Sequence, residues 1–258
     1  MPNNPIWLLT ALTTPALEDL LAVVDDPAGT PVTKKLALSD FLTALALSNV
    51  VVQIKTSGSG TYTPTAGMKK VLAIGVGGGG GGDAGLATDS AGGGGGGGGT
   101  VIRLMTAAQI GASKAFVVGA GGLGRTSGQV STAGTATTLD TAGALMNADG
   151  GAQGSAGAQA GVLGIMAAGG AGGTATNGDL NIPGWPGENG ITYSGADGCG
   201  GRGGRSVFGF GGKEPGTSIA GVAGGAYGGG GSGGHAASTT DKNGANGANG
   251  VLYLIEFI

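Results

Sequence analysis

Apolar residues fall in short blocks, each bounded by turn residues or by glycine. In the first fifth of the chain, residues 20–24 (LLAVV) and 32–38 (VTKKLAL) read as two strands around a loop that carries Asp26, Pro27, Gly29 and Pro31. Ser39 is placed to cap a short helix with Asp40 in its first turn and Phe41, Leu42 and Leu45 on one face, and a strand over 50–55 follows. Further on, strand-like runs recur at 71–76, 100–105, 115–118 and 251–258, and each lies beside a glycine tract.

Composition divides the chain at one point. Residues 1–56 contain a single glycine, Gly29, and the other 63 of the 64 glycines come later. The pattern predicts a mostly β and irregular protein. A small N-terminal α+β attachment and oligomerisation module (1–56) is followed by a glycine-rich domain (57–258). About fifty residues bury too little apolar surface to stand securely alone, so Trp7, Leu8, Leu9 and Leu12 are expected to be covered by other copies, in a homotrimer.

The tract at 92–99, eight glycines in succession, poses the main physical question. Ordering glycine costs more chain entropy than ordering any other residue, with no side chain to return it. A disordered linker is one reading of such a composition. Collagen is another, but the three-residue glycine period holds only through 244–250 (GANGANG) and the chain has nine prolines in all. The third reading is a stack of extended polyproline-II-like strands, a polyglycine sandwich. Without Cβ atoms the backbones approach closely and bond one another in place of a conventional core. That reading is the expectation adopted for 57–258, a β/polyproline-II domain.

A net charge of −3 with no basic cluster gives no footprint for nucleic acid or an anionic membrane surface. No uncharged apolar run reaches membrane-spanning length, and the first residues lack the basic start of a signal peptide, so no leader and no membrane insertion are expected. Cys199 is the only cysteine, which excludes an internal disulfide and a cysteine-rich metal site.

Gly119, Gly121 and Gly124 spell G-x-G-x-x-G after a strand, with Asp140 downstream. The following RTSGQVSTAGTATTL has no helical period on which a pyrophosphate could rest, so no cofactor is expected. The tract 75–85 lacks the Gly-Lys-Ser/Thr of a phosphate loop. His235 is the only histidine, read as a loop or layer-edge residue, and the acids are scattered singly. No catalytic or metal site is expected.

Aromatics stand out between the tracts. Phe208 and Phe210 read as local plugs of the sandwich. Trp185, held among Pro183, Gly184, Pro186 and Gly187 in a stiff loop, reads either as an anchor for a sugar or protein surface or as one more plug of the sandwich; on the anchor reading Trp185, Tyr193 and Tyr227 are the candidate receptor-binding residues, because rigid aromatics make efficient anchors.

The segments GTYTPTAGMKKVLAIGVGGGGGG (60–82), AFVVGAGGLGRTSGQVSTAGTATTL (115–139) and GANGANGVLYLIEFI (244–258) together resemble the glycine-rich C-terminal domain of bacteriophage tail-fibre proteins. LLAVVDDPAGTPVTKKLALSDFL (20–42) resembles the hairpin-and-helix segment found early in many phage fibre proteins. The resemblance implies a non-enzymatic virion protein, made in the host cytoplasm. Its N-terminal module would join a tail or capsid protein, and its glycine-rich domain would meet a host surface glycan or outer-membrane protein. A capsid decoration or head-fibre protein is the alternative it leaves open.

Overall fold

The computed structural model describes residues 20–25, 32–37, 49–86, 89–157, 166–194, 197–237 and 240–258. The chain divides into two compact units, Met1–Asn49 and Val50–Ile258. In the first, Leu20–Asp25 and Val32–Ala37 pair antiparallel, Leu20 opposite Ala37 and Asp25 opposite Val32. The helix expected after Ser39 and the apolar residues Trp7 to Leu12 lie outside the described residues.

The second unit is mostly antiparallel β-structure and extended tracts, with one described α-helical turn, Ala107–Ile110. Its first sheet has five strands in the order Leu180–Ile182, Thr100–Thr106, Lys70–Val76, Val251–Phe257 and Val50–Lys55. Val50–Lys55, read in sequence as part of the N-terminal module, thus pairs along its whole length with Val251–Phe257 and belongs to this unit. The second sheet runs Ala175–Thr176, Met146–Ala148, Thr137–Leu139, Lys114–Val117 and Ser59–Tyr62. The two sheets enclose the apolar core. Val71, Ala73, Val101, Met105, Leu252 and Leu254 come from the first sheet, and Tyr62, Phe116, Leu139 and Met146 from the second.

One buried carboxylate ties the sheets at an edge. Glu256 accepts from the Tyr62 hydroxyl at 2.7 Å, from Gln53 Nε2 at 3.1 Å and from the Thr65 N–H at 3.2 Å. A buried charge needs such partners to be tolerated. Burial, then the bond to Glu256, pushes the Tyr62 hydroxyl well above the ordinary tyrosine range.

Glycine tracts extend from both sheets. Tract 92–99 shows the rule that holds them. Gly92, Gly95 and Gly98 donate to Gly234, Gly231 and Gly228; Gly93, Gly96 and Gly99 to Ser155, Ala152 and Asp149; Gly94 and Gly97 to Glu188 and Trp185. Its carbonyls accept from three further segments, represented by Gly77, Gly170 and Gly201. Every third residue addresses the same neighbour, so one tract is bonded to six others. Tract 77–83 is likewise bonded to six.

These contacts define three layers. Segments 77–83, 92–99, 183–189 and 243–250 are continuous with strands of the first sheet, and 118–125, 132–136, 149–155 and 168–174 with strands of the second. A third layer, 200–206, 221–225 and 228–234, bonds the first-sheet layer on its other side and continues into neither five-stranded sheet. It ends over the first row of that sheet's outer face, where Thr100, Val76 and Val251 are fully buried.

The absence of Cβ atoms is a geometric requirement at the centre. A Cβ on Gly95 would overlap the Gly80 carbonyl, and one on Gly96 the Ala171 carbonyl. At Gly128, in the turn closed by Thr126 and Gln129, a Cβ would meet nothing. Gly95→Ala is therefore expected to cost at least ~3 kcal/mol, since moving one strand breaks several bonds of about 1 kcal/mol each. Gly128→Ala is expected to melt within a few degrees of the wild type. Thermal denaturation of the two variants side by side checks this, and equal melting temperatures would refute close packing.

Candidate functional site

Every position of the interior tract 92–99 faces the backbone of another segment, so side chains concentrate on the rim. Residues three apart point the same way, and segments 185–188 and 202–205 meet antiparallel at the edge. The Trp185 N–H donates to the Arg205 carbonyl at 3.0 Å and the Glu188 N–H to the Arg202 carbonyl at 2.8 Å. Gly184 and Gly187 turn inward, where a Cβ would overlap Gly97 and Gly94. This pairing brings Trp185, Glu188, Arg202 and Arg205 together on one rim.

The Arg205 guanidinium lies over the Trp185 ring, 4.3 Å from its centroid. Such a cation–π contact is worth about 0.5–1 kcal/mol at an exposed site. It holds the indole in place while 41% of the residue stays exposed. Two clefts flank the pair. One, of about 310 Å³, is lined by Trp185, Pro186, Glu188, Arg202, Arg205 and Phe210. The other, of about 260 Å³, runs from Trp185 and Arg205 to Val207, Phe208 and Phe210. Apolar ring surface here adjoins one carboxylate and two guanidinium groups, a set able to stack on a flat ligand and hydrogen-bond its polar edge.

The other two sequence candidates line neither of these clefts. Tyr193 sits on Gly190–Ser194, in a three-stranded sheet with Met166–Ala167 and Asp197–Cys199, exposed and with its hydroxyl 3.9 Å from Cys199 Sγ. Tyr227 packs edge-on against Tyr253, ring centroids 6.5 Å apart, beside the first sheet. The Tyr227 carbonyl accepts the hydroxyl of Ser206, which lines the second cleft, so Tyr227 adjoins the Trp185 rim while Tyr193 lies on a separate sheet. Phe208 also meets Tyr253, at 6.0 Å, whereas Phe210, expected as a plug, is 78% exposed and lines both clefts. Sequence reasoning passed over Arg205, Arg202 and Glu188. Their signal was the spacing of three, shared by Trp185–Glu188 and Arg202–Arg205.

The G-x-G-x-x-G glycines are engaged otherwise. The N–H groups of Gly119, Gly121 and Gly124 donate to the side chains of Thr137, Asn249 and Asn246, and Asp140 pairs with Lys114 at 3.1 Å. No group of metal-ligating side chains occurs among the described residues. None of the described helices is long and apolar enough to cross a membrane.

His235 lies in a strand, His235–Ala236, paired with Ser90–Ala91, and is fully buried. Its Nδ1 accepts the Ser218 N–H at 3.1 Å, so the proton of the neutral ring is on Nε2, which has no hydrogen-bond partner among the described residues. Burial holds the imidazole below its ordinary 6.5, against the opposing pull of Asp89 and Asp197. Because the folded value is the lower one, the unfolded chain binds more protons as pH falls below about 6.5. Stability is then lost on acidification through that window. The melting temperature is expected to fall between pH 7.5 and 5.5, and His235→Gln is expected to flatten that part of the curve.

Comparison with known proteins agrees with the composition. Residues 55–255 match a family described as a glycine-rich domain, and the chain belongs to that family. No curated protein matches the chain.

Proposed function

We propose that this is a structural, non-enzymatic virion protein, a bacteriophage tail fibre or short appendage that attaches the particle to the host cell surface. The N-terminal module joins it to a tail or capsid protein, the copies assemble as a homotrimer, and 57–258 is a polyglycine-II sandwich serving as adhesin. The three-residue period of the hydrogen bonds and the six-fold coordination of tract 92–99 support the sandwich reading.

The observation that carries the adhesin reading is the Trp185–Arg205 pair, a braced aromatic between two open clefts on a scaffold that otherwise offers few side chains. A host glycan fits this chemistry, with a sugar face against the indole and hydroxyls bonded to Glu188 and Arg202. Tyr193 and Tyr227, which line neither cleft, are secondary contacts at most.

Trp185→Ala tests the reading. Its host-cell adsorption is expected to weaken at least thirtyfold, the equivalent of ~2 kcal/mol at a binding hot spot, with a melting temperature within about 4 °C of wild type. Normal adsorption by folded Trp185→Ala protein would remove the cleft from the binding surface. Icosahedral copy numbers on the capsid, in place of a few copies on the tail, would overturn the fibre assignment.

A further inference from the structure

The larger cleft beside Trp185 stands where the lattice lacks a strand. Tract 200–206 donates from Gly201 and Gly204 to Gly92 and Gly95, and from Gly203 and Ser206 to Gly212 and Gly209. It accepts from Trp185 and Glu188 on one side and from Gly230 and Gly233 on another. With a period of three, the remaining donors are the N–H groups of Arg202 and Arg205, and neither has an acceptor among the described residues. Segments 183–189 and 209–212, both bonded to this tract, form the walls of the cleft through Trp185 and Glu188 on one side and Phe210 and Gly211 on the other. At another margin of the lattice, donors left over in this way are taken by the side-chain oxygens of Asn246 and Asn249. Here the side chains at the third positions are arginines, which have no acceptor to offer.

Neither guanidinium is neutralised within the protein. Among the described residues Arg202, Arg205 and Glu188 form no ion pair, and Arg202 and Arg205 are exposed. Arg205 uses one face on the Trp185 ring, which leaves the N–H donors in its own plane free. The chain carries a net charge of −3, so two cations against one carboxylate make this cleft a local excess of positive charge. Backbone donors and guanidinium donors converge on it from one tract, and Glu188 brings the one carboxylate.

We propose that the cleft binds a carboxylate-bearing sugar, a uronic acid unit of a surface glycan. The proposal rests on the adhesin reading and deepens it by fixing the charge of the ligand: the group held at Arg202 is a carboxylate in place of a hydroxyl. A carboxylate matches the planar fork of a guanidinium and accepts from several donors at once. Glu188 selects the monoanion. A phosphate monoester carries about −1.5 to −2 charges at neutral pH, more than the single positive charge left over when Glu188 is counted, and its second charge would meet that carboxylate. A bare anion would leave the rings unused. In a sugar acid Arg202 takes the carboxylate, Glu188 accepts from hydroxyls, and Trp185 and Phe210 supply apolar surface for the ring faces.

The test is calorimetric titration of the full chain with oligosaccharides of cellulose, amylose and mannan, each in its neutral form and with C6 oxidised to the carboxylate. A 6-phosphorylated amylose is the third arm. At least one acidic form is expected to bind about tenfold more tightly than its neutral partner, the scale of a hydrogen bond to a charged group, and added salt is expected to shrink the difference. Arg202→Gln is expected to melt like wild type and to abolish that preference, and Arg202→Lys to restore it in part. Lys213→Gln removes the same charge a few residues along, outside both clefts, and is expected to keep the preference. Equal binding of the two members of every pair, or no binding of any acidic form, would overturn the inference. A preference that survives in Arg202→Gln would overturn it too, and tighter binding of the phosphorylated sugar would replace the carboxylate by a phosphate. If the preference is absent while Trp185→Ala still loses adsorption, the adhesin reading stands and the acidic ligand alone falls.

Discussion

The interaction on which the rest depends is the backbone N–H···O=C bond between strands that have no Cβ. In a β-sheet each strand bonds two neighbours within a plane, and the faces are left to side chains. With a three-residue period the bonds of one strand leave in three directions, and tract 92–99 uses them to contact six others. Layers are then joined by the same bonds that join strands within a layer. Interior cohesion is achieved with almost no apolar side chains, and the entropy lost by the glycines is offset by bonds that only close approach allows.

This constraint explains the division of the second unit. Where side chains exist, as in Lys70–Val76 and Val251–Phe257, two sheets stand apart and an apolar core fills the gap, with Met105, Leu139 and Met146 fully buried. Where side chains cease, the same chain continues as glycine and the layers close on one another. The strand register carries through the change: Val76 faces Thr100, and the next bond is Gly77 N–H to Gly99. The sheets thus fix the alignment of tracts whose sequence carries no register information of its own.

Much of the β-structure was legible because alternation survives in the short apolar runs: residues 71–76, 100–105 and, of the expected 251–258, all but Ile258 lie in strands of the first sheet. Sheet order was not legible. Pairing Val50–Lys55 with Val251–Phe257 joins residues some two hundred positions apart, and nothing local specifies it. The rim site was half legible. Trp185 announced itself by its proline and glycine flanks, but Arg205 did not, because its proximity follows from inter-tract pairing and a period that neither helix nor sheet templates test. Phe210 was misjudged because an apolar ring was assigned to the interior of a lattice that has no room for one.

The side chains of Asn246, Asn249, Thr132 and Thr135 have a further consequence. They accept the N–H groups of Gly124, Gly121, Leu123 and Ala120, donors on a tract at the margin of the lattice. Each side-chain oxygen takes the place that a carbonyl of one more strand would fill. A packing rule of this kind contains no instruction to stop, as a crystal contains none, so its size must be set from outside the repeat. Asparagine and threonine at every third position do this. They passivate the growth face, making the glycine array a crystallite of fixed width encoded in a single chain.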